Sequence, residues 1–237
     1  MAAPAKSAPK PKLPAKSKPA ARRRLSPAEK ARIQAIFDHF AEIAPNPRTE
    51  LAFKNPFTLV VAVALSAQAT DKSVNKASEK LFALADTPEK MLALGEAGLT
   101  PMIASIGLYR TKARNVIALS RILVERYGGQ VPLDREALQS LPGVGRKTAS
   151  VVLNELGVEP AVAVDTHVFR VAHRLKLSDG KTPDQVEHDL TAIVPEPYLT
   201  RAHHWLILHG RYTCLARKPK CGVCPVAQYC PSRELFL

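Results

Sequence analysis

Apolar residues recur at helical spacing along most of this chain. The first stripe is Ile33, Ile36, Phe37 and Phe40, and it follows Ser26-Pro27-Ala28-Glu29, a capping box with proline at the first helical position. The alternation of apolar and polar residues that marks a half-buried strand is missing throughout. The pattern therefore predicts an all-α fold.

Further helix starts are predicted where a capping residue or a proline precedes an apolar run. These starts are Asn55-Pro56, Thr70-Asp71, Thr87-Pro88, Thr100-Pro101, Asp134, Asp165, Thr182-Pro183 and Leu199-Thr200. An amphipathic segment from Tyr109 to Tyr127 ends at Gly128-Gly129, and glycine is typical of a helix C-terminus. The apolar run 59–65 fits a buried strand or a buried helix. The length of the segment and the helix-start signal at Asn55-Pro56 favour the helix.

Positive charge is distributed unevenly along the 237 residues. The net charge is +13, yet residues 1–24 hold eight Lys and Arg and no acidic residue, so the remainder carries only +5. This first part is rich in Ala and Pro and can bury little apolar area, which predicts a disordered basic tail over residues 1–25. Such a tail favours a polyanionic partner, either nucleic acid or an acidic membrane surface, and an inert solubilising arm is the plain alternative.

The chain shows no pattern typical of export or of membrane insertion. No apolar run approaches the roughly 18 residues of a membrane span, and no apolar segment of a signal peptide follows the start. Repeated prolines also argue against an amphipathic transit peptide. We expect an intracellular, cytoplasmic protein that is associated with nucleic acid and has no membrane anchor.

Residues 139–152, QSLPGVGRKTASVV, contain a glycine-rich turn between two predicted helices. Gly143 and Gly145 permit positive φ and a close approach of the backbone to something outside the chain. The second helix is predicted to begin near Arg146 and Lys147, where free N–H groups and the helix dipole favour an anion. In a basic protein a DNA phosphate is the expected anion, although an ordinary helix–helix connection would show the same Gly-x-Gly.

The four cysteines lie together near the end of the chain, at Cys214, Cys221, Cys224 and Cys230. Two disulfides would use all four, but an intracellular location disfavours them. Four thiolates that converge on a metal are the better interpretation. The C-x6-C-x2-C-x5-C spacing alone leaves a structural zinc and an iron–sulfur cluster open.

Four segments together resemble the endonuclease III family of helix-hairpin-helix, iron–sulfur DNA glycosylase/AP lyases. They are LPGVGRKTA at the hairpin, SAQATDKSVNKAS at 66–78, AVAVDTHVFRVAHRL at 161–175, and LILHGRYTC followed by ARKPKCGVCPVAQYC at the cysteines. They stand in the family's order, and the resemblance covers roughly residues 28–232. The chain departs from the family in its long basic tail and in individual substitutions around the cysteines.

The resemblance implies catalytic roles for two residues. Lys147 would be the nucleophile, and Asp165, eighteen residues later, would be the essential aspartate. Without the family, Lys147 is a phosphate-binding lysine and Asp165 a helix N-cap. We favour catalysis because both residues are in place together.

Two further residues would enter the DNA stack when the damaged nucleotide is extruded. They are Gln68 in the 66–78 segment and Leu108 in the string SIGLY at 105–109. Extruding a base costs unstacking energy, and an inserted side chain offsets part of that loss. Taken singly, Gln68 is an ordinary corner residue and Leu108 a core residue.

The remaining implied contacts hold the cofactor and the DNA backbone. The four cysteines would bind one [4Fe–4S] cluster. The cations between the first two cysteines would be presented rigidly to phosphates, and solvated surface charge is their plain alternative. The implied DNA-binding residues outside the stack are Gly143, Gly145, Arg146, Arg217, Lys218 and Lys220.

The implied architecture is a two-lobed helix-hairpin-helix glycosylase fold with DNA in the cleft. Residues 49–159 would form a six-helix barrel that contains the hairpin, and residues 26–48 would pack with residues 160–237 around the cluster. The implied enzyme is a monomer that acts on double-stranded DNA containing damaged pyrimidines or abasic sites. It would remove oxidised pyrimidines in base excision repair by Schiff-base formation at Lys147 and β-elimination. The rival functions are a non-catalytic DNA-binding module and a redox-sensing iron–sulfur protein.

Overall fold

The computed structural model describes residues 25–236 of the chain, so the predicted basic tail lies outside the described residues except for its last position. Within this range the backbone forms ten α-helices and no β-strand, and the all-α prediction is confirmed. The helices are α1 Pro27–Ile43, α2 Pro56–Ser66, α3 Asp71–Leu84, α4 Pro88–Met102, α5 Tyr109–Tyr127, α6 Arg135–Gln139, α7 Arg146–Glu155, α8 Thr166–Arg174, α9 Pro183–Ile193 and α10 Leu199–Tyr212. Short 3-10 segments are Glu196–Tyr198, Cys221–Val223, Ala227–Tyr229 and Arg233–Leu235. No helix of the described part is long and apolar enough to cross a membrane.

Most helices begin where a side chain can cap the first turn. Ser26 Oγ accepts a hydrogen bond from Glu29 N (3.2 Å), and the Glu29 carboxylate accepts one from Ser26 N (2.9 Å). The predicted capping box is therefore confirmed. Side-chain caps also start six further helices, after Asn55, Thr70, Thr87, Asp134, Asp165 and Thr182.

One predicted helix start, Thr100-Pro101, is wrong. Both residues lie inside α4, and the helix is interrupted earlier, at Gly95, which has φ 66° and ψ 174°. The Thr100 hydroxyl donates to the carbonyl of Glu96 (2.6 Å), the bond that a threonine within a helix makes to the preceding turn. The Thr-Pro pattern indicates a start, but the backbone breaks at Gly95 because glycine tolerates positive φ.

Buried apolar side chains form two separate clusters. One contains residues of α2 to α7, between positions 51 and 163. The other joins α1 to residues between positions 162 and 226, so the first helix packs against the last third of the chain. Trp205 Nε1 donates to Ala44 O (2.8 Å) and fixes the end of α1 there. This distribution supports the two predicted lobes, whose boundaries stay a prediction.

The two clusters meet along α7 and α10. Glu155 Oε1, in the last residue of α7, lies 2.5 Å from His204 Nε2, and both side chains are buried. The Asn154 side chain donates to Thr200 O (3.0 Å) at the start of α10. These contacts set the position of α7, whose first turn carries Lys147, relative to the second cluster.

Candidate active site

The glycine-rich turn between α6 and α7 uses its two glycines differently. Gly143 has φ +80°, a backbone conformation that favours glycine, and a Cβ there would be crowded at 3.1 Å from Asn115 Cβ. Gly145 has φ −86° and ψ 179°, an extended backbone that any residue can adopt. Nothing lies within 4 Å of a Cβ built at Gly145, so its face of the turn is open. Only Gly143 uses the positive φ that both glycines permit, and Gly145 offers the close approach.

The first turn of α7 keeps its N–H groups available. Gly145 is the N-cap and supplies no side-chain acceptor, in contrast to the capped helices above. Helix dipole and free donors therefore combine at an exposed surface, as an anion site requires. The neighbouring Arg146 is already paired, because its guanidinium lies 3.1 Å from Asp184 Oδ2 and 2.9 Å from Glu187 Oε2 on α9. Its charge is shared with two carboxylates, and it ties the hairpin to the second cluster.

Lys147 and Asp165 lie close together although they belong to different helices. Lys147 Nζ is 3.8 Å from Asp165 Oδ2. Asp165 caps α8 through its other oxygen, because Oδ1 accepts from the backbone N–H groups of His167 and Val168, both at 2.8 Å. The lysine side chain is 52% exposed and the aspartate side chain only 14%. An accessible amine thus stands beside a partly buried carboxylate whose second oxygen faces it.

A cleft of about 160 Å³ opens beside this pair, between the two clusters. Its walls come from α2 and the loops at either end of it, from the first turn of α7, and from α10. The polar side chains of the wall include Gln68, Lys147, His203, His204 and Arg211. Two of the predicted functional residues, Gln68 and Lys147, therefore share one cleft.

Two histidines of α10 lie at the wall of this cleft, and sequence reasoning gave them no role. Burial first, and the neighbouring His204 second, lower the pKa of His203 to about 3, so the ring is neutral at pH 7. The two imidazole rings are 5.1 Å apart, and His204 is held by Glu155. The apolar pattern of α10 is that of an ordinary buried helix, so nothing in the local sequence distinguished these two histidines.

The sequence also gave no indication of an ion-pair cluster that lies at one edge of the cleft. Arg211, in the last turn of α10, pairs with both Glu50 before α2 and Asp71 at the start of α3. The Tyr212 hydroxyl hydrogen-bonds to the same Glu50. Each of these bonds joins residues that are 140 or more positions apart along the chain. Their pairing connects the two clusters, and no sequence pattern predicts it.

Gln68 and Leu108 both stand in backbone conformations that non-glycine residues rarely adopt. Their φ values are 55° and 59°, in the left-handed region. Each costs ~1–2 kcal/mol, and such outliers cluster at functional sites. Leu108 is 63% exposed, which excludes the core role that its sequence alone suggested. A Cβ at Gly107 would lie 3.7 Å from Gln68 O, so the two loops touch.

The four cysteine thiols line one cavity next to α8 and α10. They surround it rather than meet at a point, because no three His, Cys, Asp or Glu side chains within residues 25–236 lie close enough to bind a single ion. Without iron, burial raises the pKa of the Cys224 thiol to about 11. The donor set fits a cluster whose positive charge would stabilise four thiolates.

Two arginines of α8 hold the loop that follows the first cysteine. Arg170 donates to Cys214 O (3.0 Å), and Arg174 donates to Leu215 O (2.6 Å) and Ala216 O (3.0 Å). The loop closes where Lys220 N donates to Thr213 O (3.0 Å). The predicted phosphate-binding cations, which are all exposed on this loop, are Arg217, Lys218 and Lys220.

Comparison with known proteins gives consistent matches over both parts of the chain. Residues 61–196 match the family described as HhH-GPD superfamily base excision DNA repair protein, and residues 214–230 match the iron–sulfur binding domain of endonuclease III. Endonuclease III of Rickettsia conorii is 60% identical over 198 residues, which cover 84% of this chain and 94% of that protein. Endonuclease III of Escherichia coli is 53% identical over 205 residues, which cover 86% and 97%. A solved structure of a trapped endonuclease III–DNA covalent intermediate has 43% identity and a TM-score of 0.81, with 87% of this chain and 97% of that chain covered.

Proposed function

The chain belongs to the endonuclease III family of the HhH-GPD superfamily, and we propose that it uses Lys147 to remove oxidised pyrimidines from duplex DNA. It is a DNA glycosylase and AP lyase of base excision repair, and it carries a [4Fe–4S] cluster. The finer proposal concerns the residues and the lesion. The observation that carries it is the 3.8 Å approach of Lys147 Nζ to Asp165 Oδ2 beside an open cleft.

The first chemical step is attack of the neutral Lys147 amine on C1′ of an extruded nucleotide. The C1′–N bond to the base breaks as the C1′–Nζ bond forms, and the base leaves with the electron pair. Opening of the sugar ring gives a Schiff base between the lysine and the former C1′. Loss of a C2′ proton then expels the 3′ phosphate by β-elimination, which cleaves the strand. The covalent intermediate trapped for a related endonuclease III supports this sequence.

Asp165 serves the same step in two ways. Its Oδ2 faces the amine and can accept the proton that Lys147 must lose before it attacks. The carboxylate also stabilises positive charge that develops on the sugar as the base departs. Because Oδ1 is fixed by two backbone N–H groups at 2.8 Å, Oδ2 is held in one orientation.

Gln68 and Leu108 fill the gap left by the extruded nucleotide. Both side chains are exposed, on adjacent loops, and Gln68 also lines the cleft beside Lys147. An inserted amide and an inserted apolar side chain together replace stacking lost by the neighbouring bases. The damaged base would occupy the cleft, with the neutral His203 at its wall.

The hairpin and the cysteine loop bind the DNA backbone on either side of the lesion. Gly145 permits close approach of a phosphate to the uncapped N-terminus of α7. Arg217, Lys218 and Lys220 supply cations from the loop that Cys214 and Cys221 delimit. The four cysteines would hold the cluster, and this attachment at both ends would keep the loop in place.

The remaining proposals concern the context of the enzyme. Residues 49–159 and the combination of 26–48 with 160–237 form the two lobes, and the separation of the two buried clusters supports this division. The protein acts as a cytoplasmic monomer on double-stranded DNA. The basic residues before position 25 add affinity for DNA that does not depend on sequence and falls with salt.

Borohydride trapping on a duplex that contains one thymine glycol tests the proposed nucleophile. Wild type should form a covalent protein–DNA adduct, and Lys147→Ala should form none because the imine is absent. Lys90→Ala is the matched control, since Lys90 also lies in a first helical turn beside a carboxylate, with Nζ 2.7 Å from Asp86 Oδ1. The control should trap as well as wild type.

Each other outcome identifies a specific error. An adduct that persists in Lys147→Ala would mean that a different amine attacks. No adduct in wild type, with tight DNA binding retained, would leave either a monofunctional glycosylase or a non-catalytic DNA-binding module. Trapping on an abasic site but not on thymine glycol would reject the oxidised pyrimidine while leaving the lyase chemistry intact.

A further inference from the structure

Lys112 is a buried lysine that touches both loops proposed to enter the DNA stack. It lies on α5, one turn after Leu108, and its backbone N–H donates to Leu108 O (3.0 Å). Its side chain is directed at the other loop, where Nζ donates to Leu65 O (2.9 Å) and Ala67 O (2.6 Å). Ala67 immediately precedes Gln68. One residue thus connects the positions just before Gln68 to the carbonyl of Leu108.

Burial of this ammonium has a cost that ordinary packing would avoid. Lys112 is only 7% exposed, and burial lowers its pKa. Within residues 25–236 no Asp or Glu forms an ion pair with it, so backbone carbonyls alone balance its charge. A leucine or methionine would fill the same volume without a charge. The lysine therefore has a role that depends on its donors.

The carbonyls that it binds belong to the C-terminal end of α2. Such carbonyls lack partners within the helix and carry the negative end of its dipole. The last turn of α2 contains no basic residue of its own, so the cation comes from α5. The bonds fix the direction of the chain where it leaves the helix, one residue before Gln68 adopts φ 55°.

We propose that Lys112 is a positioning residue that holds the Gln68 and Leu108 loops as one rigid unit. Both residues stand in strained left-handed conformations, which persist only where surrounding contacts enforce them. The contact of Gly107 with Gln68 O brings the loops together, and the ammonium fixes the end of one to the helix that begins at the other. This inference rests on the proposed roles of Gln68 and Leu108 in DNA.

A ratio of DNA affinities separates positioning from a merely structural role. Dissociation constants are measured for a duplex with a tetrahydrofuran abasic-site analogue and for the undamaged duplex, with cluster-loaded protein. Lys112→Met, which keeps volume but removes the donors, should reduce the preference for the abasic duplex by about tenfold. Affinity for the undamaged duplex should stay near wild type, because the hairpin and cysteine loop are unchanged.

Lys54→Met is the matched control. Lys54 Nζ also donates to a backbone carbonyl of the same cluster of helices, Phe82 O at 2.8 Å, but it lies before the start of α2 rather than after its end. This variant loses one lysine–carbonyl bond, at a more exposed position than Lys112, and should keep the wild-type ratio. An equal loss of preference in Lys54→Met and Lys112→Met would show a general effect of destabilisation and would overturn the proposal.

A double-mutant cycle with Gln68→Ala tests whether Lys112 acts through that side chain. Once Gln68 is removed, Lys112→Met should reduce the preference much less than it does in wild type. Fully additive losses would mean that the lysine acts elsewhere. If Gln68→Ala and Leu108→Ala both retain the wild-type ratio, the proposed insertion of these side chains into DNA is wrong. The positioning role of Lys112 is then tested by amide hydrogen exchange alone.

Amide hydrogen exchange gives that second readout without DNA. The Ala69 N–H, which donates to Ser66 O at 3.0 Å, reports the turn around Gln68. Its exchange should accelerate roughly tenfold in Lys112→Met and in the milder Lys112→Gln, and should not change in Lys54→Met. Unchanged exchange in both Lys112 variants would overturn the proposal. So would failure of both variants to fold, because Lys112 would then be a structural residue of α2 and α5.

Discussion

At the scale of single residues, one carboxylate of the candidate site makes two kinds of contact at once. It belongs to Asp165, for which capping and catalysis were alternatives from the sequence, and the structure accommodates both. One oxygen caps α8, and the other faces Lys147 at 3.8 Å. Arg146 is different. It was predicted to bind DNA, but its guanidinium is already paired with the carboxylates of Asp184 and Glu187.

Substituting Asp165 by Asn separates these two purposes. Asparagine caps helices about as well as aspartate, so thermal stability should change little, while loss of the anion should lower glycosylase turnover about 10²–10⁴-fold. Single-turnover rates on thymine glycol DNA and melting temperatures check this. Asp134→Asn, at the N-cap of α6 and without a lysine partner, should leave turnover unchanged. Wild-type rates in Asp165→Asn would remove the carboxylate from the mechanism.

At the scale of elements, the two helices that begin at candidate DNA contacts lack side-chain caps. The N-cap residues are Leu108 for α5 and Gly145 for α7, and neither side chain accepts a hydrogen bond from the first turn. Seven other helices of the described range have such caps. Unpaired N–H groups at an exposed helix start are available to an anion, so the missing caps agree with phosphate binding.

The two hairpin glycines should respond oppositely to alanine. Gly145→Ala meets open space at φ −86° and should melt close to wild type, yet its methyl group should weaken DNA binding by blocking a phosphate. Gly143→Ala is forced to φ +80° against Asn115 and should lose about 1–2 kcal/mol of stability. Melting temperatures and DNA titrations distinguish the two. Unimpaired DNA binding by Gly145→Ala would contradict the proposed approach.

The cysteine loop should depend on its metal. Cys221→Ser removes one of four ligands, so iron content and the broad visible absorbance of the cluster should fall together. Val223→Ser is the control, because Val223 is 77% exposed on the same loop and its loss removes no ligand. Iron analysis and absorbance spectra check both variants. A colourless wild-type protein that contains zinc would contradict the cluster assignment.

At the scale of the whole molecule, the cleft depends on a few polar contacts between the two clusters. Arg211 connects α10 to the beginnings of α2 and α3, and Glu155 binds His204 at the back of the cleft. His203 lies at the same wall, 96% buried and neutral. We therefore expect a charge placed on this wall to weaken the packing between the two clusters.

Stability should fall in mild acid, and the buried His203 contributes to this fall. Its pKa is about 3 in the folded protein and near the ordinary value of about 6.5 in the unfolded chain, so the unfolded state binds more protons between these values. The contribution of the neutral ring is complete above about pH 6.5 and is lost at up to about 1.4 kcal/mol per pH unit as pH falls toward 3. His203→Gln should flatten this dependence.

The measurement is a series of melting temperatures at pH values between roughly 7.5 and 5. His188→Gln, at a half-exposed histidine of α9, should keep the wild-type slope. A His203→Gln protein whose stability falls as steeply as wild type would show that other groups account for acid sensitivity.

The helices and the candidate chemistry were predictable from the sequence, because both depend on short segments. Capping needs only a side chain and the backbone three residues later, so helix starts such as Ser26 and Thr70 were predictable. The one error, at Thr100-Pro101, arose because glycine at position 95 broke the helix first. The cysteine spacing and the hairpin string are likewise local, and through the family resemblance they gave the function.

The way in which those elements form a site depends on contacts between segments that are distant in the sequence. Lys147 approaches Asp165 at 3.8 Å from a different helix, and Arg211 of α10 pairs with Asp71 of α3. Burial in the folded protein keeps His203 neutral. The same holds for Lys112. Its sequence position indicates only an ordinary lysine of an amphipathic helix, whereas the structure shows its ammonium donating to the carbonyls of Leu65 and Ala67, just before Gln68. Such contacts depend on the packing of distant segments, which capping and periodicity do not encode, and burial then sets the charge of each group.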